Sequence, residues 1–216
     1  MDNYDYYAEK VMTYLPLVIL SVIAVVLLLP NSRKRFLRIQ ASLPTSKIKS
    51  LAMGLVEIQG KLIMKEPLIS PVAREECIGY YYTIEDVTKD KEGRNSYSTI
   101  HKETQCNVFQ MKDDSGIIEI HPEGIELIFI KETNISYNGQ KRYKETLLKS
   151  GQEMLLVGAA DSRNGEAFIR KDTGHKLLGI TTVSGISIWN KYQPLLRSFL
   201  FTCIIILILM ILILSK

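Results

Sequence analysis

The chain has 216 residues, a formal net charge of +4 and a mean hydropathy of +0.06 although 23% of its residues are charged. That balance excludes an ordinary soluble domain and points to apolar residues concentrated in blocks. Three cysteines distant in sequence, Cys77, Cys106 and Cys203, exclude a disulfide scaffold, an iron–sulfur cluster and a four-cysteine zinc site.

Residues 1–10 form a short extramembrane terminus with Asp2, Asp5 and Glu9 against Lys10. Residues 11–30 carry no charge. About 20 apolar residues suffice to cross the hydrocarbon of a bilayer, so this segment is expected to be a transmembrane helix. The segment ends in Pro30-Asn31-Ser32-Arg33, which is no signal-peptide cleavage site. Residues 31–44 are a basic juxtamembrane segment, expected to form a turn or two of basic amphipathic helix at 32–42.

Residues 33–49 hold six basic side chains and no acid, whereas residues 50–197 hold 19 basic and 20 acidic ones. The positive charge is therefore a collar, not a property of the domain. Arg33, Lys34, Arg35 and Arg38 are the candidate contacts to anionic lipid headgroups, at about 1 kcal/mol each. Nucleic acid is not an expected partner, because it requires a basic domain face. Counting basic residues near the first span places the central domain in the cytosol and both termini outside.

Residues 45–190 read as a mostly β domain, a small barrel or sandwich lying between two transmembrane helices. Leu55–Ile63 alternates with period two through its middle. Ile78–Val87 is rich in tyrosine and β-branched residues, and Lys89–Asn95 is a charged hairpin loop. Ser98–Met111 reads as one long run. Asp113-Asp114-Ser115-Gly116 is a turn before the alternating Ile117–His121. Ile125–Tyr137 reads as another apolar run. Met154–Gly158 and Ala167–Arg170 flank a hairpin loop ending in Asn164-Gly165. Trp189 and Tyr192 suit a membrane interface, within a helix at 186–200 that leads into the second span. That span, residues 197–215, has an apolar centre at Phe199–Leu214 flanked by Arg197 and Lys216. Nothing between the two spans could cross a bilayer, which excludes a polytopic transporter.

None of the chemistry-bearing residues forms a catalytic or metal-binding pattern. His101, His121 and His175 lack ligand-like spacing. Cys77 and Cys106 read as buried free thiols of a reducing compartment; in an oxidising one they could pair. Gly54 and Gly60 bracket one strand and Gly151 and Gly158 another, and neither pair opens a helix as a phosphate loop must. Asp113, Asp114, Glu119, Glu123 and Glu126 read as a solvated turn and sheet face. No catalytic residue, metal or cofactor is assigned.

The order of several segments resembles a known family. These are Ala52–Gly60, Leu68–Val72, Glu76–Tyr82, Phe109–Gly116 with Ile120-His121-Pro122, and Glu145–Ala160. Together with two flanking spans they resemble the GIDE, or "beside a membrane", domain. In eukaryotes this domain lies between the two spans of a mitochondrial membrane-anchored RING E3 ubiquitin ligase. The motif positions the resemblance singles out, as structural residues, are Gly54, Glu57, Gly60, Pro71, Cys77, Tyr80, Tyr82, Asp114, Gly116, Pro122, Gly151 and Gly158. A RING finger needs eight Cys and His ligands for two zinc ions, and this sequence has three of each residue. The resemblance therefore implies a short, RING-less, prokaryotic-type relative in a cell membrane. It would be a protein- or lipid-interaction module beside the bilayer, with membrane lipids and an unknown protein as partners. Ubiquitin transfer follows only from the family name. An oligomeric scaffold is the weaker alternative, since neither span carries a small-xxx-small seam.

Overall fold

The computed structural model describes residues 32–184, 186 and 199–205. The chain divides into two compact units, Phe36–Ile186, and Met1–Arg35 with Ser187–Lys216. The expected spans at 11–30 and 197–215 lie outside the described residues, apart from a helical stretch at 199–205. Among the described residues no helix is long and apolar enough to cross a membrane.

Helix α1 (Ser32–Gln40) is amphipathic, as its sequence suggests, but its apolar side belongs to the core of the domain. Phe36, Leu37 and Ile39 are buried, and the Phe36 ring lies over Gly179, where a β-carbon would collide with it. Fourteen strands follow among the described residues. The first eight are β1 (Thr45–Ser46), β2 (Gly54–Met64), β3 (Leu68–Ile69), β4 (Glu76–Cys77), β5 (Gly79–Lys89), β6 (Asn95–Cys106), β7 (Phe109–Lys112) and β8 (Ile117–Ile120). Then come β9 (Glu126–Ile128), β10 (Asn134–Asn138), β11 (Lys141–Leu148), β12 (Glu153–Arg163), β13 (Glu166–Arg170) and β14 (Gly179–Thr182).

Five strands close a barrel in the order β2–β7–β8–β13–β12–β2. All neighbours are antiparallel except β8 and β13, which run parallel and share only Phe168↔Glu119 and Ile169↔Ile120. Side chains alternate in and out along each strand. Val56, Ile58 and Leu62 of β2 meet Phe109, Met111, Ile118, Ile120, Met154, Leu156 and Ile169 inside. Two insertions leave the barrel, β3–β6 between β2 and β7 and β9–β11 between β8 and β12. They meet in a second, four-stranded sheet of order β10–β11–β5–β6.

Gly60 and Gly158, expected to bracket strands, lie within β2 and β12 instead. Gly60 sits where β2 leaves β12 for β7, and its missing β-carbon would lie 2.5 Å from the Lys112 carbonyl oxygen. Gly158 sits where β12 exchanges β14 for β13 as its neighbour. A β-carbon there would lie 2.8 Å from both Ile169 and Leu178. At both positions the neighbouring chain occupies the space a side chain would need.

Two long runs are each broken in the structure. Ser98–Met111 divides at Asn107, whose amide bonds the Ile78 carbonyl, sending β6 and β7 into different sheets. Ile125–Tyr137 divides after Phe129, whose φ of 53° cannot continue a strand. The Asn164-Gly165 hairpin is as expected, a two-residue turn with φ of 54° and 85° between longer strands than the sequence suggests.

Gly158→Ala is expected to lower stability by about 1–3 kcal/mol, because the added methyl must displace Ile169 and Leu178 in a filled core. Ser162→Ala, at an exposed position of the same strand, is expected to change it by less than about 0.5 kcal/mol. Urea titrations of the full chain in detergent check both.

Candidate functional site

The barrel wall carries an open groove of about 530 Å³. Gln110 of β7, Ile117 and Glu119 of β8, His121 just beyond it, and Arg163, Asn164, Glu166 and Phe168 of the β12–β13 hairpin line it. Outward-facing positions of four adjacent strands converge here because β13 runs parallel to β8, placing Phe168 opposite Glu119. The polar groups are ordered by one another. Lys65 Nζ donates to Glu119 Oε2 at 2.6 Å, and Glu119 Oε1 lies 3.0 Å from His121 Nε2. The His121 ring packs on the Phe168 ring at 4.7 Å between centroids, and the Arg163 guanidinium lies 5.9 Å from that ring. The Lys65 hydrogen bond leads in holding the Glu119 carboxyl below its usual range, and the His121 bond adds to it against partial burial.

A second surface is the open face of the four-stranded sheet. Register places Tyr81, Thr83 and Glu85 of β5, Arg142 and Lys144 of β11, Ile135 and Tyr137 of β10, and Tyr97 of β6 on one side. Tyr81, Tyr97, Ile135 and Tyr137 are exposed. At their centre the Arg142 guanidinium sits 3.6 Å over the Tyr97 ring and pairs with Glu85. Lys144 bridges Glu85 at 3.3 Å and Glu132 at 3.1 Å. Burial works to raise the Glu85 carboxyl, but the Arg142 and Lys144 bonds prevail and hold it below the usual range.

The opposite face of that sheet is tied down by Glu145, whose side chain is fully buried. Its carboxylate accepts from the amides of Val72 (2.9 Å) and Ala73 (3.1 Å), from Asn134 Nδ2 (2.8 Å) and from Ser70 Oγ (3.4 Å). A buried carboxylate is tolerable only with such partners. Neither Glu145 nor the tyrosine face was legible as a site. The available signal was the alternation of Ile135/Tyr137 against Arg142/Lys144 across a hairpin.

The motif positions spread over both sheets rather than converging. Gly54 and Gly151 adopt φ of 107° and 82°, at the start of β2 and in the β11–β12 turn. Glu57 is buried and accepts from Thr45 Oγ1 at 2.5 Å. Pro71 precedes the two amides that bind Glu145. Cys77 and Tyr80 are buried with Leu147, and Tyr82 packs against them. Tyr80 Oη donates to Gln105 Oε1 at 2.7 Å, and Pro122 is buried beyond β8. Asp114 is exposed and pairs only with Lys47. Its neighbour Asp113 holds the turn, accepting from the amides of Ile48, Ser115 and Gly116 and from Ser115 Oγ. Of the collar, Arg33 and Arg38 are exposed and Lys34 and Arg35 half-buried on α1. His101 stands on exposed β6 beside Tyr82, and His175 bonds Asp172. Among the described residues no three His, Cys, Asp or Glu side chains are grouped to hold a metal ion.

Cys77 and Cys106 are both free thiols. Burial pushes the Cys106 thiol up to about 12, with the negative ends of Cys77 and Glu123 adding to it. Burial, then Glu145, raises that of Cys77.

No protein-family model, no curated protein and no solved structure matches this chain.

Two outcomes are expected from this geometry. At pH 8 Cys77 and Cys106 stay protonated and resist iodoacetamide in the native chain, and both react fully in guanidinium; peptide mass spectrometry reads the difference. Burial opposes ionisation of Asp113, but its four hydrogen bonds prevail and lower the carboxyl to about 2. Its stabilising contribution is complete above its unfolded pKa of about 3.9 and is lost as pH falls towards about 2. Asp113→Asn therefore flattens the fall in unfolding midpoint between about pH 5 and pH 2, measured by chemical denaturation.

Proposed function

We propose that this chain is a non-catalytic, membrane-flanked interaction module, a relative of the GIDE family, whose β domain docks a protein partner beside the bilayer. The observation that carries the reading is the open face of the four-stranded sheet. Exposed Tyr81, Tyr97, Ile135 and Tyr137 share this face with Arg142, and tyrosine and arginine are enriched where proteins bind one another. The central Arg142–Glu85–Lys144 cluster is fixed in advance by its own ion pairs, so little side-chain freedom is lost on docking.

Membrane attachment rests on the uncharged segments at 11–30 and 198–215 and on the resemblance. The exposed Arg33 and Arg38 of α1 are the side chains through which the collar reaches anionic headgroups. The cytosolic placement of the domain rests on the same basic residues.

The test is site-specific photo-crosslinking of the full chain in its host membrane, with a benzophenone amino acid at position 81 or 137. The same protein is expected from both positions. It is expected to be lost when Ile135→Asp is added, with no change in unfolding midpoint because Ile135 is exposed. A probe at Ser162, on the barrel hairpin, is expected to give no such product. Failure to obtain a shared product from positions 81 and 137 removes the reading.

A further inference from the structure

The groove on the barrel wall is distinct from the docking face and has its own logic. The barrel order β2–β7–β8–β13–β12 makes β7 and β8 the second and third barrel strands and Asn164-Gly165 the loop between the fourth and fifth. Five-stranded Greek-key barrels of the OB type bind oligonucleotides or oligosaccharides on the face of their second and third strands, beside that loop. The groove lies on this face, although it is defined by its volume and lining and not by the analogy.

The chemistry of the lining decides between the two ligand classes. A nucleic-acid strand needs a basic track for its phosphates and aromatic rings for its bases. Here Arg163 is opposed by Glu166, and Lys65 is already bound to Glu119 at 2.6 Å. A phosphate chain would meet two carboxylates and gain no net positive field. A neutral sugar ring fits better. Its C–H face is apolar and rests on an aromatic ring, while its hydroxyls both donate and accept at the edge. The rings of Phe168 and His121 supply an angled platform, their centroids 4.7 Å apart and their planes inclined at 42°, and both are half-exposed. Gln110, Asn164 and Glu166 supply planar amides and a carboxylate around it, each able to engage two adjacent hydroxyls, and Glu119, whose oxygens already bind Lys65 and His121, offers its remaining lone pairs. The platform is also set before any ligand arrives. Lys65 orients Glu119 and Glu119 orients His121. A volume of about 530 Å³ is within the range of small-molecule sites.

We propose that this groove binds a short neutral oligosaccharide, free or as the headgroup of a glycolipid, packed against Phe168 and His121 with its hydroxyls held by Gln110, Glu119, Asn164 and Glu166.

The experiment uses the full chain in phosphatidylcholine nanodiscs. Saturation-transfer NMR and calorimetry are run with maltotriose, cellotriose and triacetylchitotriose. A parallel arm uses nanodiscs containing digalactosyl diacylglycerol, and a third arm a fifteen-residue oligothymidylate. At least one saccharide is expected to bind with a Kd below about 1 mM, a usual figure for a weak specific site. Phe168→Ala is expected to weaken that binding at least about tenfold, and Glu166→Gln about threefold, the loss of one weak hydrogen bond. Both positions are at least partly exposed, so the unfolding midpoint serves as the control for folding. Ile135→Asp, on the docking face, is expected to leave saccharide binding unchanged. Binding confined to the free sugars identifies a soluble glycan, and binding confined to the galactolipid discs identifies a headgroup. Absence of binding to every saccharide, full-strength binding by Phe168→Ala, or oligothymidylate binding that depends on Phe168 would overturn the proposal.

Discussion

The whole β domain depends on one strand changing partners. β12 pairs with β2 along eight positions on one side, while on the other it serves β14 from Met154 to Val157 and β13 from Ala159 to Arg163. The exchange happens at Gly158, where the Ile169 and Leu178 side chains occupy the space a β-carbon would need. Because the backbone can approach so closely there, β13 turns inward to meet β8 and the sheet becomes a barrel. Closure removes the sheet's exposed edges in this region, and the interior is filled by alternate apolar side chains.

A second constraint makes the insertions into a structure rather than two loops. Ser70, Val72 and Ala73 come from the first insertion, and Asn134 and Glu145 from the second. All five meet at the Glu145 carboxylate, which has no exposure to solvent. A buried charge removed from its donors is expensive, and donors without their carboxylate are equally so. The arrangement therefore binds the two insertions as a pair. It also turns one face of the four-stranded sheet inward and leaves the other, with its tyrosines, open.

Much of the barrel was legible in the sequence because barrel strands have one buried face. Leu55–Ile63 and Ile117–His121 alternate visibly, and Asn164-Gly165 announces its hairpin through two positive φ angles that few other pairs adopt. The second sheet was much less legible. β6 is exposed along nearly its whole length and β11 carries lysine, arginine and glutamate, so neither shows a period of two in hydrophobicity. The polar side chains of β11 answer to partners far away in sequence, such as Arg142 to Glu85 and Glu145 to Val72. The groove was hidden for a related reason. His121 and Phe168 are ordinary strand residues until a parallel pairing brings them together. Phe36, Leu37 and Ile39 were masked by the basic residues among them, whose charge suggested only a membrane collar.

The parallel seam between β8 and β13 has a thermodynamic consequence of its own. It is held by two residue pairs and by the His121 amide bonding the Ile169 carbonyl at 2.8 Å, whereas β2 and β12 share eight pairs. Local opening follows the weakest contiguous joint, so amide exchange in the barrel will be fastest along this line. The Phe168 and His121 rings meet diagonally across it. Any molecule resting on both rings therefore acts as a rivet through the seam. Its binding energy is added to the barrel's resistance to opening, and the breathing of this wall and the occupancy of the groove become two readings of one equilibrium.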